Sequence, residues 1–294
     1  MQKLVRFLFI FSVLIFFSSH KVLHESKSDN TYLDITSDQI CKLRIASYNI
    51  LGGGWRGWAS GRATLVNNLI RQYDFDIFGT QEGTSAQMID ITSGTGYAYI
   101  GDGRDPGGDG EHNSIVYKTN RFQLLDQGKF FYSETIEIPS KGWDAICCNR
   151  MCIWGKFRDM ISGREFYIFN SHFDHQGTRA RLESAKILLD KIKSIAGNNP
   201  VFATGDYNST PETEQMQLLF TDRLLKDSYV LSEQKPYGSV GTFNGWDPTK
   251  VPSSRIDYIL VTNGIRVKEY GVLNDRPNGQ FPSDHDPVIA VVEF

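Results

Sequence analysis

The sequence predicts an α/β fold in which helices cover mixed β-sheets. Apolar and polar side chains alternate in several short segments, as in strands with one buried face, and amphipathic helical segments lie between them. Two of the strand segments are joined through a short Ser-Gly turn, which indicates an antiparallel hairpin. Strands separated by helices favour parallel pairing, whereas hairpins give antiparallel pairing. The two patterns together predict layered mixed sheets rather than a doubly wound parallel sheet.

The first half of the domain begins with the strand segment KLRIASYNIL, in which side chains alternate from Leu43 to Tyr48. A glycine loop follows, and a helical stripe from Leu65 to Ile70 then predicts a helix. Trp55 and Trp58, in the glycine loop, suit either stacking on a base or sugar or ordinary packing. Residues 101–112 are expected to form a long loop. Strands are predicted at 42–51, 76–82, 113–117 and 122–128, and helices at 62–73 and 84–93.

The second half contains the predicted hairpin, which turns at Ser162 and Gly163. The clearest helix spans 177–196, because five apolar residues between Ala185 and Ile195 share one face. A short apolar strand begins near Pro200 and leads into TGDYNST. Further strands are predicted at 151–158, 164–172, 255–261 and 286–294, and a further helix at 212–220.

The N-terminal segment resembles a targeting sequence. Lys3 and Arg6 precede an apolar run from Phe7 to Phe17, which is shorter than the ~20 residues of a membrane span. We expect an exported protein, periplasmic or secreted, with an uncleaved membrane anchor as the alternative. No membrane domain is expected beyond this segment. The predicted division is a signal peptide or anchor at 1–23, a linker at 24–40 and one domain at 41–294.

Charge and cysteine content narrow the class of protein. The net charge is −3, so the chain lacks the broad basic footprint of proteins that bind duplex nucleic acid. Nucleic acid therefore stays possible as a substrate but is not favoured. All four cysteines follow the leader, so a disulfide is permitted, and the absence of a C-x-x-C spacing argues against a metal site. We expect buried thiols or one bridge.

Polar side chains end several of the predicted strands. Asp206 and Asn208, two residues apart in TGDYNST, are expected to point the same way, with Tyr207 turned into the packing. Asp257 lies inside an apolar strand and needs a partner there, for which His285 is the natural candidate. Each residue alone would suit a turn, a cap or a satisfied edge position, but together they predict a site at the ends of the strands. The full set is Asn49, Glu82, Asn170, His172, Asp206, Asn208, Asp257, Asp284 and His285.

The order of these motifs resembles the endonuclease/exonuclease/phosphatase superfamily, to which deoxyribonuclease I belongs. The motifs are YNIL, TQE, NSHFDH, GDYN, RIDYIL and SDHDP, and the resemblance extends from about residue 42 to 294. It implies a four-layer α/β/β/α sandwich of two mixed β-sheets and Mg²⁺-dependent hydrolysis of phosphoesters, with Mn²⁺ or Ca²⁺ as alternative ions. Other segments are similar to those of secreted bacterial members.

The resemblance also implies roles for individual residues. Glu82 is expected to be the principal metal ligand, with Asn49 and Asp284 near the ion. Asp206 would orient and deprotonate the attacking water, and Asn208 would hydrogen-bond the nucleophile or a phosphate oxygen.

The remaining implied roles concern the phosphate. His285 would contact it, with Asp257 fixing the histidine tautomer. His172 would make a second phosphate contact or assist the leaving group. Arg150 is the expected phosphate clamp, for which a surface ion pair is the alternative, and Asn170 is expected to contribute to substrate binding.

The sequence thus predicts a monomeric, metal-dependent phosphoric ester hydrolase. The expected substrate is a small phosphodiester or the phosphate of a sugar or lipid headgroup, attacked in line by a metal- and Asp-activated water. One alternative is a non-specific secreted nuclease. A second is a non-catalytic binding module on the same fold, although the intact set of polar residues argues against it.

Overall fold

The computed structural model describes residues 40–54 and 56–294. The predicted leader at 1–23 lies outside these residues, as do Trp55 and all of the predicted linker except Ile40. Trp58 is described, and it is buried in the packing, where its indole nitrogen donates to Asp90 over 2.8 Å. Its structural role is therefore the correct one of the two interpretations.

The described residues form twelve strands. Most agree with the predicted segments. In chain order they are β1 (Lys42–Asn49), β2 (Ile77–Gly83), β3 (Tyr97–Gly103), β4 (His112–Lys118), β5 (Phe122–Phe131), β6 (Met151–Asp159), β7 (Glu165–His172), β8 (Val201–Asp206), β9 (Leu225–Asp227), β10 (Asp257–Thr262), β11 (Arg266–Val272) and β12 (Val288–Glu293).

The strands form two six-stranded sheets, in the orders β11-β12-β1-β2-β4-β3 and β5-β6-β7-β8-β10-β9. Each sheet contains one parallel pair among antiparallel ones: β1 with β2 in the first sheet, and β7 with β8 in the second. The two strands of each parallel pair are connected through a helix, because the chain must return from the end of one strand to the start of the next. The prediction of two mixed sheets is confirmed.

The helices of the described residues lie on the outer faces of the two sheets. The core between the sheets contains Ile45, Phe166 and Ile259, whereas Tyr48 packs with Val66 on one outer face and Leu188 packs with Leu260 on the other. Three cores separate four layers, so the architecture is the predicted α/β/β/α sandwich. The helices are α1 (Ala63–Gln72), α2 (Ser85–Thr92), α3 (Thr178–Ala196), α4 (Glu214–Thr221) and α5 (Ser228–Leu231).

Three strands differ from the sequence prediction. β3 was not predicted, and its residues from Gly101 to Gly103 lie in the segment expected to be a loop. Gly101 has a positive φ, and a side chain there would meet the carbonyl of Asn113. The strands β9 and β11 were not predicted, since β9 has only three residues and β11 carries charged side chains on its exposed face.

The cysteines give one disulfide, between the adjacent Cys147 and Cys148. Cys41 and Cys152 are buried free thiols, and burial is the main cause that raises the pKa of each to about 12. Buried thiols and one bridge, which were expected as alternatives, therefore occur together. Within the described part of the chain, no helix is long and apolar enough to cross a membrane.

A polar contact joins the two sheets directly beneath the strand ends. The side chain of Asn170, on β7, accepts hydrogen bonds from Gln81 and Thr204 and donates to the carbonyls of Thr80 and Ser114. Gly79 makes room for it, because a Cβ there would lie 2.2 Å from Asn170 Oδ1.

The prediction that Asn170 binds substrate is therefore corrected. The side chain is fully buried, and its four hydrogen bonds use the whole capacity of an amide within the protein. It does not line the cleft described below, so its role is to link the sheets.

Replacing Asn170 with Ala should lower the free energy of unfolding by about 3 kcal/mol or more, because two buried carbonyls and two buried donors lose their partner. Urea denaturation measures this change. Asn68→Ala, on the exposed surface of α1, is the matched control and should change stability by about 0.5 kcal/mol or less. An unchanged stability in Asn170→Ala together with a raised KM would restore the substrate-binding role.

Candidate active site

The polar strand ends converge on one edge of the sandwich. In the first sheet, Asn49 ends β1 and Glu82 lies at the end of β2, the neighbouring parallel strand. In the second sheet, His172 ends β7 and is paired in register with Asp206 at the end of β8. The carboxyl ends of both parallel pairs therefore meet at the same edge, as expected for sites in α/β sheets. They line one cleft of about 270 Å³.

Two buried carboxylates face each other in this cluster. Asp257 begins β10 and pairs in register with Asp206 on the adjacent strand, and each is about 1% exposed. His285 lies between them: its Nδ1 is 2.8 Å from Asp257 Oδ2, and its Nε2 is 3.8 Å from Asp206 Oδ2. Thr242 donates a further hydrogen bond to Asp257 over 2.6 Å. The predicted contact between Asp257 and His285 is thus present.

The pKa values of this cluster follow from burial and from its charges. Burial raises the pKa of Asp206 to about 7, with the Asp257 carboxylate acting in the same direction, while His285 and the amides of Asn208 and Asn49 oppose the shift. Burial alone would lower the pKa of His285, but Asp257 and Asp206 outweigh it and hold the value well above the ordinary range. His285 is therefore a cation at neutral pH.

Glu82 reaches the cleft through an irregularity of β2. Its φ is 62°, and the pairing of β2 with β4 shifts between Thr80 and Gly83. A bulge of this kind redirects a side chain that regular alternation would place elsewhere. The positive φ is uncommon for a residue with a side chain, and such strain is concentrated at functional sites.

Asn49 connects the acids of the two sheets. Its amide nitrogen donates to Glu82 over 2.9 Å and to Asp206 over 3.1 Å, while its oxygen accepts from the Leu51 backbone. In this orientation Asn49 positions the two carboxylates. Coordination of an ion through its oxygen requires the amide to turn over, so that role stays a prediction.

The donor set of the cleft fits a divalent cation. Glu82, Asp206 and Asp284 supply carboxylate oxygens, the ligands that Mg²⁺ prefers. Ligand atoms of Glu82, His172 and Asp206 lie within 4.8 Å of one another. Among the described residues, the only basic side chain within 4.0 Å of the Glu82 carboxylate is the imidazole of His172, and burial raises the pKa of Asp284. A cation beside Glu82 and Asp284 would balance the negative charge of their carboxylates.

Arg150 is held in position by two histidines. It donates to His172 Nε2 and to His175 Nδ1, both over 2.9 Å, and its Nε lies 3.7 Å from the buried Asp174. A guanidinium only donates, so the Nε2 of His172 must accept and the imidazole is neutral. Burial and the charge of Arg150 accordingly keep the pKa of His172 well below its ordinary value. The surface ion pair that was the alternative for Arg150 is wrong, since the residue is buried.

Asn208 lies beside Asp206 in the cleft, but not for the reason that the sequence suggested. The strand β8 ends at Asp206, and Asn208 follows it with a φ of 46°, a conformation that asparagine tolerates. Its backbone N–H donates to Asp206 and its side chain donates to the Phe173 carbonyl. Tyr207 is fully buried, as predicted.

Sequence reasoning missed part of the cleft lining. Arg104 and Glu111 form an ion pair of 2.6 Å, and burial raises the pKa of Glu111. The Cys147–Cys148 disulfide and the ring of Phe243 complete the lining. These residues lie in loops, which have no periodic sequence pattern. The only signal in the sequence is the high density of Gly and Asp around Arg104.

Comparisons with known proteins agree with this geometry. The model of the "Endonuclease/Exonuclease/phosphatase family" matches residues 46–285. A family member from Bacteroides thetaiotaomicron is 40% identical, with a TM-score of 0.82 over 87% of this chain and 96% of that chain. The mannosyl-6-phosphatase of the same species is 39% identical, with a TM-score of 0.80 over 86% of this chain and 100% of that chain. The Drosophila melanogaster protein angel is 23% identical over 250 residues, 76% of this chain and 68% of that protein.

The sandwich and its edge cluster define the class of phosphoric ester hydrolases with the deoxyribonuclease I-like fold. Within that class, the chain belongs to the endonuclease/exonuclease/phosphatase family. Metal dependence is typical of this family, and the relatives with solved structures that match at 39–40% identity are bacterial.

Asp257→Asn should lower the pKa of His285, because the imidazolium loses the buried charge that it contacts most closely. Since the pKa of His285 is raised in the folded protein, its stabilising contribution is complete below the ordinary histidine value of about 6.5 and is lost as the pH rises through the raised value. An NMR titration of the histidine rings measures the change. Asp190→Asn, exposed on α3, removes the same charge and should leave His285 unchanged. An unaltered His285 titration in Asp257→Asn would contradict the assigned pairing.

Proposed function

We propose that the protein hydrolyses the phosphate monoester of a sugar with Mg²⁺ as its cofactor. The observation that carries the proposal is the arrangement at the sheet edge, where Asp206 lies between the Glu82–Asn49 group and the charged pair of His285 and Asp257. The 39% identity to a mannosyl-6-phosphatase over nearly the whole of that protein supports a sugar phosphate over a lipid headgroup or a small diester.

Asp206 is the base in this proposal. Its carboxylate is fixed by the Asn208 N–H and the Asn49 amide, and its pKa of about 7 lets it take a proton from water near neutral pH. Fixing both oxygens orients the remaining lone pairs towards the cleft. Attack by the oriented water forms the new P–O bond, the bond to the sugar oxygen breaks, and the proton of the water passes to Asp206. The departing sugar oxygen takes a proton from solvent water.

Cationic and amide groups of the chain hold the phosphate. His285 presents an Nε2–H that Asp257 keeps charged, and Arg150 is pre-positioned by His172 and His175. Charge that develops on the phosphate oxygens is stabilised most by donors that are already in place. Because His172 Nε2 accepts from Arg150, it has no proton there for the leaving group. We therefore assign His172 to positioning Arg150.

Glu82 and Asp284 would hold the ion, with Asn49 as the residue between Glu82 and the base. A Mg²⁺ ion bound there would supply Lewis-acid polarisation. Glu82 is the critical residue of this group, because the bulge in β2 directs its side chain into the cleft.

The size of the cleft argues against the alternatives. Its volume of about 270 Å³ lies at the small end of ligand pockets and suits a small phosphate ester. A nuclease requires a groove lined with cations along a strand, whereas four carboxylates and two arginines line this cleft. We further propose, from the N-terminal sequence, that the protein acts outside the cytoplasm.

Asp206→Asn and Glu82→Gln should each reduce kcat for a hexose 6-phosphate by about 10²–10⁴-fold, because they remove the base and the principal carboxylate of the ion site. EDTA should abolish the wild-type activity and Mg²⁺ should restore it. Phosphate release measures hydrolysis of mannose 6-phosphate, p-nitrophenol release measures hydrolysis of p-nitrophenyl phosphate and bis(p-nitrophenyl) phosphate, and gel electrophoresis measures cleavage of plasmid DNA. Asp190→Asn is the control.

The ranking of substrates decides among the functions. Faster turnover of both monoesters than of the diester and DNA supports the proposal. Faster cleavage of DNA would establish the nuclease instead. Normal activity in both variants, or turnover that persists in EDTA, would overturn the assigned site.

A further inference from the structure

Phe243 is an aromatic residue that the reaction does not use. Its side chain is 43% exposed, and it belongs to none of the three apolar cores among the described residues. It lines the catalytic cleft, where its ring packs edge-on against His285 with 5.1 Å between ring centroids. A large apolar ring at the side of a polar cleft offers a surface whose burial by a ligand would be favourable.

The backbone on both sides of Phe243 is tied to the catalytic residues. Thr242 donates to the Asp257 carboxylate, and the side chain of Asn244 donates to Asp286 and to the Ser283 carbonyl. The backbone amides of Asn244 and Gly245 both donate to the carbonyl of Asp284. The position of the ring relative to His285 is therefore fixed before any ligand arrives.

Gly245 lies close to the Phe243 ring. Its φ is 58°, and a Cβ at this position would lie 3.3 Å from the Phe243 ring. The ring contacts His285 and also lines the cleft. An aromatic side chain held rigidly in this way is suited to contact a flat ligand surface at low entropic cost.

A charged pair in the same cleft provides the polar counterpart. Arg104 and Glu111 are linked at 2.6 Å, with side-chain exposures of 14% and 32%. The loop segment that contains Arg104 is held by Asn149, whose amide donates to the Arg104 carbonyl and to Asp105. The pair thus offers guanidinium donors and a carboxylate acceptor at one place, which is what neighbouring hydroxyl groups require.

We propose that Phe243 and the Arg104–Glu111 pair form the subsite for the leaving alcohol, a sugar ring whose C–H face lies on Phe243 and whose hydroxyls bind Arg104 and Glu111. This inference rests on the proposed function and adds the residues that select the alcohol. It explains why an apolar ring and an ion pair occur together in a cleft whose other residues address a phosphate.

The test compares substrates that share the phosphate but differ in the alcohol. Phe243→Ala should raise KM for mannose 6-phosphate about tenfold with little change in kcat. KM for glycerol 3-phosphate, which has no ring, and inhibition by inorganic phosphate should stay within about twofold of wild type. Phe243→Trp should retain the low KM, since it keeps an aromatic face, whereas Phe243→Leu should not.

Glu111→Gln tests the polar half of the subsite. It should raise KM for mannose 6-phosphate about tenfold and have less effect on its 2-deoxy or 4-deoxy analogue, depending on which hydroxyl it binds. Inhibition by inorganic phosphate should again be unchanged.

The outcomes separate this inference from the proposed function. If the wild type hydrolyses mannose 6-phosphate but Phe243→Ala lowers kcat equally for ring and ringless substrates, Phe243 only supports His285 and the subsite is wrong. If the wild type hydrolyses diesters and no sugar phosphate, the proposed function fails and the subsite fails with it. A selective rise in KM for the sugar phosphate supports both.

Discussion

The structure depends on the burial of two carboxylates that face each other across neighbouring strands. Asp206 and Asp257 are paired in register on β8 and β10 and are almost inaccessible to water. Two such groups cannot both ionise without a compensating charge. His285 supplies that charge from the segment before β12, and so it must remain a cation. Thr242 is in turn held by its hydrogen bond to Asp257, and Asn244 is held by a hydrogen bond to Asp286, the residue that follows His285. The charge pairing is therefore the organising contact of the cleft.

The sandwich places this group at a single edge because both of its parallel strand pairs end there. A second polar contact, centred on Asn170, lies beneath the site and joins the sheets through their interior. The distance between the sheets at that level is set by Gly79, which has no side chain to separate them. The site therefore lies on a hydrogen-bonded layer and not on an apolar core. Within the site, Asn49 links the two sheets directly, because its amide donates to Glu82 of one sheet and to Asp206 of the other.

The sequence predicted the layers and most of the site residues, because strand periodicity and polar strand ends are local signals. It could not predict how Glu82 enters the cleft, since that requires a bulge whose only local trace is an acid before Gly83. The alternation argument for Asn208 was wrong in its reason, because the strand ends two residues earlier. Asn170 was misassigned because a polar residue at a strand end looks the same in sequence whether it faces a cleft or another sheet. Phe243 and Arg104 depend on loop conformations, which carry no periodic pattern.

We propose that the carboxylates gathered at this edge hold a divalent cation beside the base. Calorimetric titration of Mg²⁺ into the metal-free wild-type protein and into Glu82→Gln tests it most directly, because it does not depend on knowing the substrate. The account predicts saturable binding to the wild type, at least a tenfold weaker interaction in Glu82→Gln, and wild-type affinity in Phe243→Ala. Equal Mg²⁺ affinity in the wild type and Glu82→Gln, or no binding to either, would contradict it.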